Sequence, residues 1–197
     1  MEGAYSCGVI IGGIAKCWGY NGNGQLGNGS GVGYSDIPIF VLDDDNYELI
    51  GAGWYHSCGV TVDGVSKCWG YGNGGRLGIG NESNMNVPIE VLDEDNYGLI
   101  SAGGSHSCGV TVDGIAKCWG RGDYGQLGIG NDSDMSVPIE VLDSDEYFNI
   151  KYFDGKDLLV NTLFSSQLSP GNWKFNCMIS DGVMNSSWKE SLAVIIE

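Results

Sequence analysis

The chain has 197 residues, room for one large or two small domains, and carries 34 glycines and seven cysteines. Nine basic residues against 25 acidic ones leave a net charge of −16, which argues against nucleic-acid or anionic-membrane partners, since Lys and Arg supply most of the affinity for phosphate. No apolar run reaches the roughly 18–20 residues that span a bilayer, so no membrane insertion is predicted.

The chain opens inside a repeat. Residues 51–100 and 101–150 align without a gap and are identical at 34 positions, so they must fold alike. Residues 3–50 are the same unit, shortened before Cys7. Gly3–Cys7 lacks most of what precedes Cys58, and Met1-Glu2 opens neither a basic region nor an apolar stretch. The chain therefore reads as a fragment of a longer protein. Abundant glycine with scarcely any helix-favouring run points to an all-β fold. A period near 50 with several short strands is the mark of a β-propeller blade. The boundaries are 1–50, 51–100 and 101–150, and in the last unit strands are predicted near Leu99–Ala102, Ser107–Val112, Ile115–Trp119 and Val137–Leu142.

The hairpin inside each unit fixes its own register. Val60 and Val62 alternate with Gly59 and Thr61 as in a half-buried strand. The loop Val62-Asp63-Gly64 fits a type I turn closed by a left-handed glycine. Counting outward pairs Thr61 with Val65 and brings Cys58 opposite Cys68, at a non-hydrogen-bonded site where side chains lie closest. The same count sets Cys7 against Cys17 and Cys108 against Cys118. Three cross-strand disulfides are predicted, each closing about ten residues for roughly 2.5–3 kcal/mol in the chain-entropy model. Reduced, packed cysteines and a zinc site using His56 are the competing readings. The zinc set offers only three ligands, and Tyr5 stands in place of the histidine in the first copy. Paired cysteines imply an oxidising, extracellular or cell-surface setting.

The string from His106 to Gly128, with W-G-x-x-x-x-G-Q-L-G at Trp119–Gly128, recurs at Trp18–Gly27, and at Trp69–Gly78 with Arg76 for Gln. With the P-I-E-V that follows, it resembles the RCC1 repeat over residues 3–150, in a cysteine-paired form similar to secreted microbial variants. The resemblance implies four-stranded antiparallel blades of a seven-bladed propeller. Three units cannot close such a ring, so a partial, open propeller is expected. The nucleotide-exchange and chromatin-binding roles of particular family members find no matching residues here. The kelch repeat shares the period but lacks G-Q-L-G.

Residues 151–197 change character. Leu158–Phe164, Trp173–Ser180 and Leu192–Ile196 read as strands, and Pro170-Gly171 and Asp181-Gly182 as turns. Trp173, Phe175, Cys177 and Ile179 alternate with polar or flexible neighbours, a one-sided core pattern. This tail resembles the last strands of an immunoglobulin-like or PKD-like sandwich, with Cys177 an odd, buried cysteine.

No catalytic motif, phosphate loop or complete calcium loop is present, so no enzyme activity, cofactor or metal is predicted. His56 and His106 read as structural imidazoles bonding to backbone between blades. Trp18, Trp69 and Trp119 read as inter-blade packing. The acidic triplets that start at Asp43, Asp93 and Asp143 read as solvated turns, with calcium as the alternative. Asn28, Asn81, Asn131 and Asn185 begin N-x-S/T sequons. Differences between near-identical copies mark the loops where a scaffold varies freely. On that basis Tyr20, Trp54, Tyr55, Tyr71, Arg76, Arg121 and Tyr124 form a candidate binding rim, Tyr, Trp and Arg being the types that dominate interface energetics. The function these readings favour is a non-enzymatic extracellular module presenting loops to a protein or glycan. The alternative is a spacer or self-assembling subunit.

Overall fold

The computed structural model describes residues 4–142, together with the backbone of residues 149–153 and 157–161. Strands β1 (Tyr5–Ile10), β2 (Ile14–Tyr20) and β3 (Tyr34–Phe40) form the first sheet. β4 (Tyr47–Ala52), β5 (His56–Thr61), β6 (Ser66–Gly70) and β7 (Met85–Glu90) form the second. β8 (Tyr97–Ala102), β9 (His106–Thr111), β10 (Ala116–Gly120) and β11 (Met135–Glu140) form the third. Each sheet is an antiparallel meander, in chain order across its width. A hairpin of β12 (Asn149–Phe153) and β13 (Asp157–Asn161) follows, with Asn149 opposite Asn161. β12 falls where a unit's first strand is due and runs through the predicted boundary at residue 150. The immunoglobulin-like reading, including Cys177, otherwise lies outside the described residues.

The hairpin register is the one that the turn demands. Gly64 sits at φ +84° and Gly114 at +87°, the left-handed geometry in which glycine carries no Cβ penalty. The Gly64 amide donates to Thr61 O, and Cys58 faces Cys68. Cys7 faces Cys17 and Cys108 faces Cys118. All three pairs are disulfide-bonded, with Cα atoms 4.1 Å apart, the close spacing of a non-hydrogen-bonded pair.

The last strand of the third blade starts two residues earlier than predicted, and Val141 and Leu142 lie beyond β11. Pro88 and Pro138 sit within β7 and β11, on the sheet edge, the position that tolerates a residue without an amide donor. The first strands of the second and third blades, β4 and β8, approach one another, and each also packs against the cysteine-bearing strand of the blade before it, β4 against β1 and β8 against β5, so these edges converge.

The core is built between blades as well as within them. Trp69 is fully buried in one cluster with Leu26 and Tyr47, and Trp119 in another with Leu77, Val91 and Tyr97. The Trp69 indole donates to Gln25 O of the preceding blade at 3.0 Å. Gly27 lies so close that an added Cβ would stand 2.6 Å from that Nε1. This explains G-Q-L-G: the glycines and leucine of one blade are the seat for the tryptophan of the next, as the packing reading of Trp69 and Trp119 requires.

Candidate binding face between the second and third blades

Trp54 and Tyr55 occupy the tight turn between β4 and β5, closed by the Gly53 amide donating to His56 O. The Trp54 amide donates to Gly103 O of the third blade. Its ring covers Gly104, where an added Cβ would meet the indole at 3.1 Å. The change from Trp54-Tyr55 to Gly104-Ser105 between copies is thus complementary: the third copy is small where the second copy's indole lies on it. Tyr55 meets Trp54 edge-on at 6.5 Å and Tyr71 at 6.2 Å, extending the aromatic surface along the blade end. The Arg76 guanidinium lies 4.9 Å from the centre of the Tyr71 ring, a cation–π distance. Arg121 passes over Gly74, where a Cβ would sit 2.6 Å from its Cγ, and pairs with Asp123.

Five of the seven candidate residues therefore converge at one junction: Trp54, Tyr55, Tyr71, Arg76 and Arg121. Arg76 departs from its expected place on the rim. It is 4% exposed, donating from Nε to Asn73 O and from Nη1 to Gly104 O. Its long side chain folds under the Tyr71 ring and bridges the blades, so it supports the surface rather than forming it. Burial opposes its charge and lowers its pKa. Among the described residues it pairs with no carboxylate. Tyr20 is folded over Gly22 in the first blade, and Tyr124 stands 91% exposed on the third. Neither is brought into contact with this cluster.

Beneath it lies a buried polar lock. His56 Nε2 is 2.8 Å from Ser107 Oγ, across the blade boundary. This is a side-chain partner, not the backbone one expected. The pair resembles a nucleophile and its base, but the Ser107 hydroxyl already donates to Arg76 O at 2.9 Å. Nε2 must then carry the proton and donate, so it cannot act as base toward that serine. Both residues are fully buried. Burial first, then the charges of Arg76 and His106, push the His56 pKa down to about 3. Burial and Arg76 lower that of His106 too. Tyr5 fills the histidine position of the first copy and also reaches the second blade, donating to His56 O and lying 3.0 Å from Ser57 Oγ, the counterpart of Ser107.

The two described acidic triplets are more than solvated turns: their middle residues face solvent, but the first and third aspartates of each hold a lysine. Lys67 Nζ contacts both oxygens of Asp43, at 3.0 and 2.9 Å, and also Asp45. Lys117 binds Asp93 and Asp95 in the same way. Tyr47 and Tyr97 hydroxyls donate to Asp43 and Asp93. Burial works against the charged Asp43 and Asp93, yet the hydrogen bonds from Tyr and Lys outweigh it and hold both carboxyls below the usual value. Each of these two triplets thereby ties an inter-blade linker to the following blade. The signal in the sequence was the lysine before every second cysteine, 24 residues beyond the first aspartate. Asp143 lies outside the described residues. No group of three or more His, Cys, Asp and Glu is arranged to hold a metal ion among the described residues.

Comparison with known proteins agrees with this architecture. A family model described as the regulator of chromosome condensation (RCC1) repeat matches residues 17–60, 68–110 and 113–153, and a second form of that repeat matches 99–126. The ultraviolet-B receptor UVR8 of Arabidopsis thaliana is 36% identical over 78 residues, 39% of this chain and 18% of UVR8. Prp20p of Saccharomyces cerevisiae, characterised for binding to Gsp1p and histones, superposes with a TM-score of 0.66 at 23% identity, over 75% of this chain and 38% of Prp20p. Human WBSCR16 does so with a TM-score of 0.66 at 23% identity, over 75% of this chain and 39% of its own. The chain spans less than a fifth of the curated relatives it matches. At such identity the likeness of structure establishes the fold, a partial and open propeller.

Proposed function

The chain belongs to the RCC1 repeat family, and from that premise we propose that it is a non-enzymatic binding module whose partner, a protein, docks on the face formed by Trp54, Tyr55, Tyr71 and Arg121. The observation that carries this reading is the convergence of half-buried aromatics and two arginines at one blade junction. These are the side chains that anchor protein interfaces, and they stand where near-identical copies differ most. The buried Arg76 and the His56–Ser107 lock hold the surface rigid, which lowers the ordering cost of association. The three disulfides support an oxidising, extracellular location. Prp20p, characterised for binding to Gsp1p and histones, lends the scaffold's use in protein recognition as an analogy, not its partners.

The test is selection of a displayed peptide library on the 197-residue chain, followed by the double variant Trp54→Ala/Tyr71→Ala. The variant should keep its disulfides and a cooperative unfolding transition while losing affinity by more than about tenfold, two anchors each contributing at least 1 kcal/mol. Selected peptides that bind wild type and variant equally would place the binding face elsewhere. A self-assembling subunit is the second reading, favoured by Tyr34, Ile37 and Phe40 on β3, each more than 60% exposed. An apolar edge strand of this kind seeks pairing.

A further inference from the structure

The chain has two arginines, and both stand where the other copies are neutral. Arg76 corresponds to Gln25 and Gln126, and Arg121 to Tyr20 and Tyr71. The fold brings both to the junction of Trp54, Tyr55 and Tyr71. Arg76 is buried, and its Nε and Nη1 donate to the carbonyls of Asn73 and Gly104 rather than to a carboxylate. Burial is the largest influence lowering its pKa; Tyr71 and Tyr55 oppose it, and the charge of Arg121 adds to it. A buried charge calls for an opposite one, and no carboxylate pairs with this guanidinium among the described residues. Acids on the adjoining loop are engaged elsewhere, Asp134 accepting the Gly122 amide and Glu82 the Asn73 side chain. Asp123 does pair with Arg121, but the two side chains are 38% and 47% exposed, and an ion pair so solvated is weak and readily exchanged.

We propose that this junction recognises an acidic segment of the protein partner, an Asp or Glu side chain displacing Asp123 from the Arg121 guanidinium beside Tyr55 and Tyr71. The inference rests on the binding face proposed above and names the chemistry that face selects. Arg121 supplies the forked contact that a guanidinium makes to a carboxylate. Arg76, folded under the Tyr71 ring, contributes its charge without reaching the ligand. In a chain of net charge −16, this local reversal of sign fixes where an acidic segment can dock and in which register.

The probes are the peptides selected on the 197-residue chain, each paired with a counterpart in which Asp is changed to Asn and Glu to Gln. Peptides that require Trp54 and Tyr71 should carry an acidic residue, and their amide counterparts should bind at least about tenfold more weakly, the loss of one charge-assisted contact. Arg121→Tyr takes the residue of the first two copies and should cost the acidic peptide as much. On the amide peptide the same substitution should cost less than about threefold, the pair being already broken. Affinity should also fall as salt rises from about 0.05 to about 0.5 M, and Arg76→Gln, the residue of the first and third copies, should make that dependence shallower. Peptides that need the aromatics yet bind as tightly in amide form overturn this inference and leave the binding face standing. Peptides indifferent to Trp54→Ala/Tyr71→Ala overturn the binding face, and this inference with it.

Discussion

Replacing Gly78 by alanine should cost the protein about 2–5 kcal/mol of stability, two effects adding at one atom. The backbone there is left-handed, with φ +72°, and a Cβ would stand 2.7 Å from Trp119 Nε1 and 2.9 Å from Val91 Cγ1. An L-residue at that φ costs roughly 1–2 kcal/mol by itself. Overpacking a rigid interface adds about 1–3 kcal/mol, because indole and valine have no room to withdraw. Gly12 separates the two contributions. It sits at φ +96° with nothing within 4 Å of its would-be Cβ, so Gly12→Ala should show the backbone part alone. Urea unfolding of the two variants measures the difference. Equal losses would mean that the seat beneath Trp119 is not load-sensitive and that the blades are less tightly coupled than their geometry implies.

The second large effect is on pH. His56 is neutral in the folded state, with its pKa pushed down to about 3, and it titrates near 6.5 once unfolded. Between these values the unfolded chain binds more protons, so stability is lost as pH falls below about 6.5. The slope approaches 1.4 kcal/mol per pH unit for one full proton. From pH 7.5 to 5 the His56 contribution is about 2 kcal/mol, and His106, shifted in the same direction, steepens it. Asp43 and Asp93 act lower. Their folded pKa values are depressed, so their contribution is present above about pH 4 and disappears as pH falls through the folded values. The lysine partners contribute at the other end. Their raised pKa values give stability that is complete below about 10.5 and is lost as pH rises through the folded values. Denaturation midpoints between pH 7.5 and 5 should fall for the wild type and flatten for His56→Gln, which keeps a donor for Ser107 but no titrating ring. Parallel curves for the two proteins would remove the buried histidine as the cause.

What could be read in advance depended on the range of the interaction. The Cys58–Cys68 register followed from a three-residue turn, because Asp63-Gly64 sets the phase of both strands and every later pair is a matter of counting by two. The propeller followed from the repeat period and from the recurring W-G-x-x-x-x-G-x-L-G. The Lys67–Asp43 pair joins residues 24 apart through a linker and a strand. Nothing local distinguishes such an aspartate from one in water, and only the repetition of both partners could have exposed it. Arg76 was misplaced for a related reason. A glycine-dense loop suggests exposure, yet its side chain is long enough to run beneath Tyr71 to a carbonyl of the next blade. The Trp54–Gly104 complementarity was visible in the sequence only as a difference between copies, and the fold turns that difference into a contact.

Non-reducing peptide mapping by mass spectrometry reaches the stapled, stacked hairpins most directly. The bridges expected are Cys7–Cys17, Cys58–Cys68 and Cys108–Cys118. A bridge between cysteines of different units, or free thiols at these six positions, would contradict the hairpin register and, with it, the blades that position Trp54 and Tyr71.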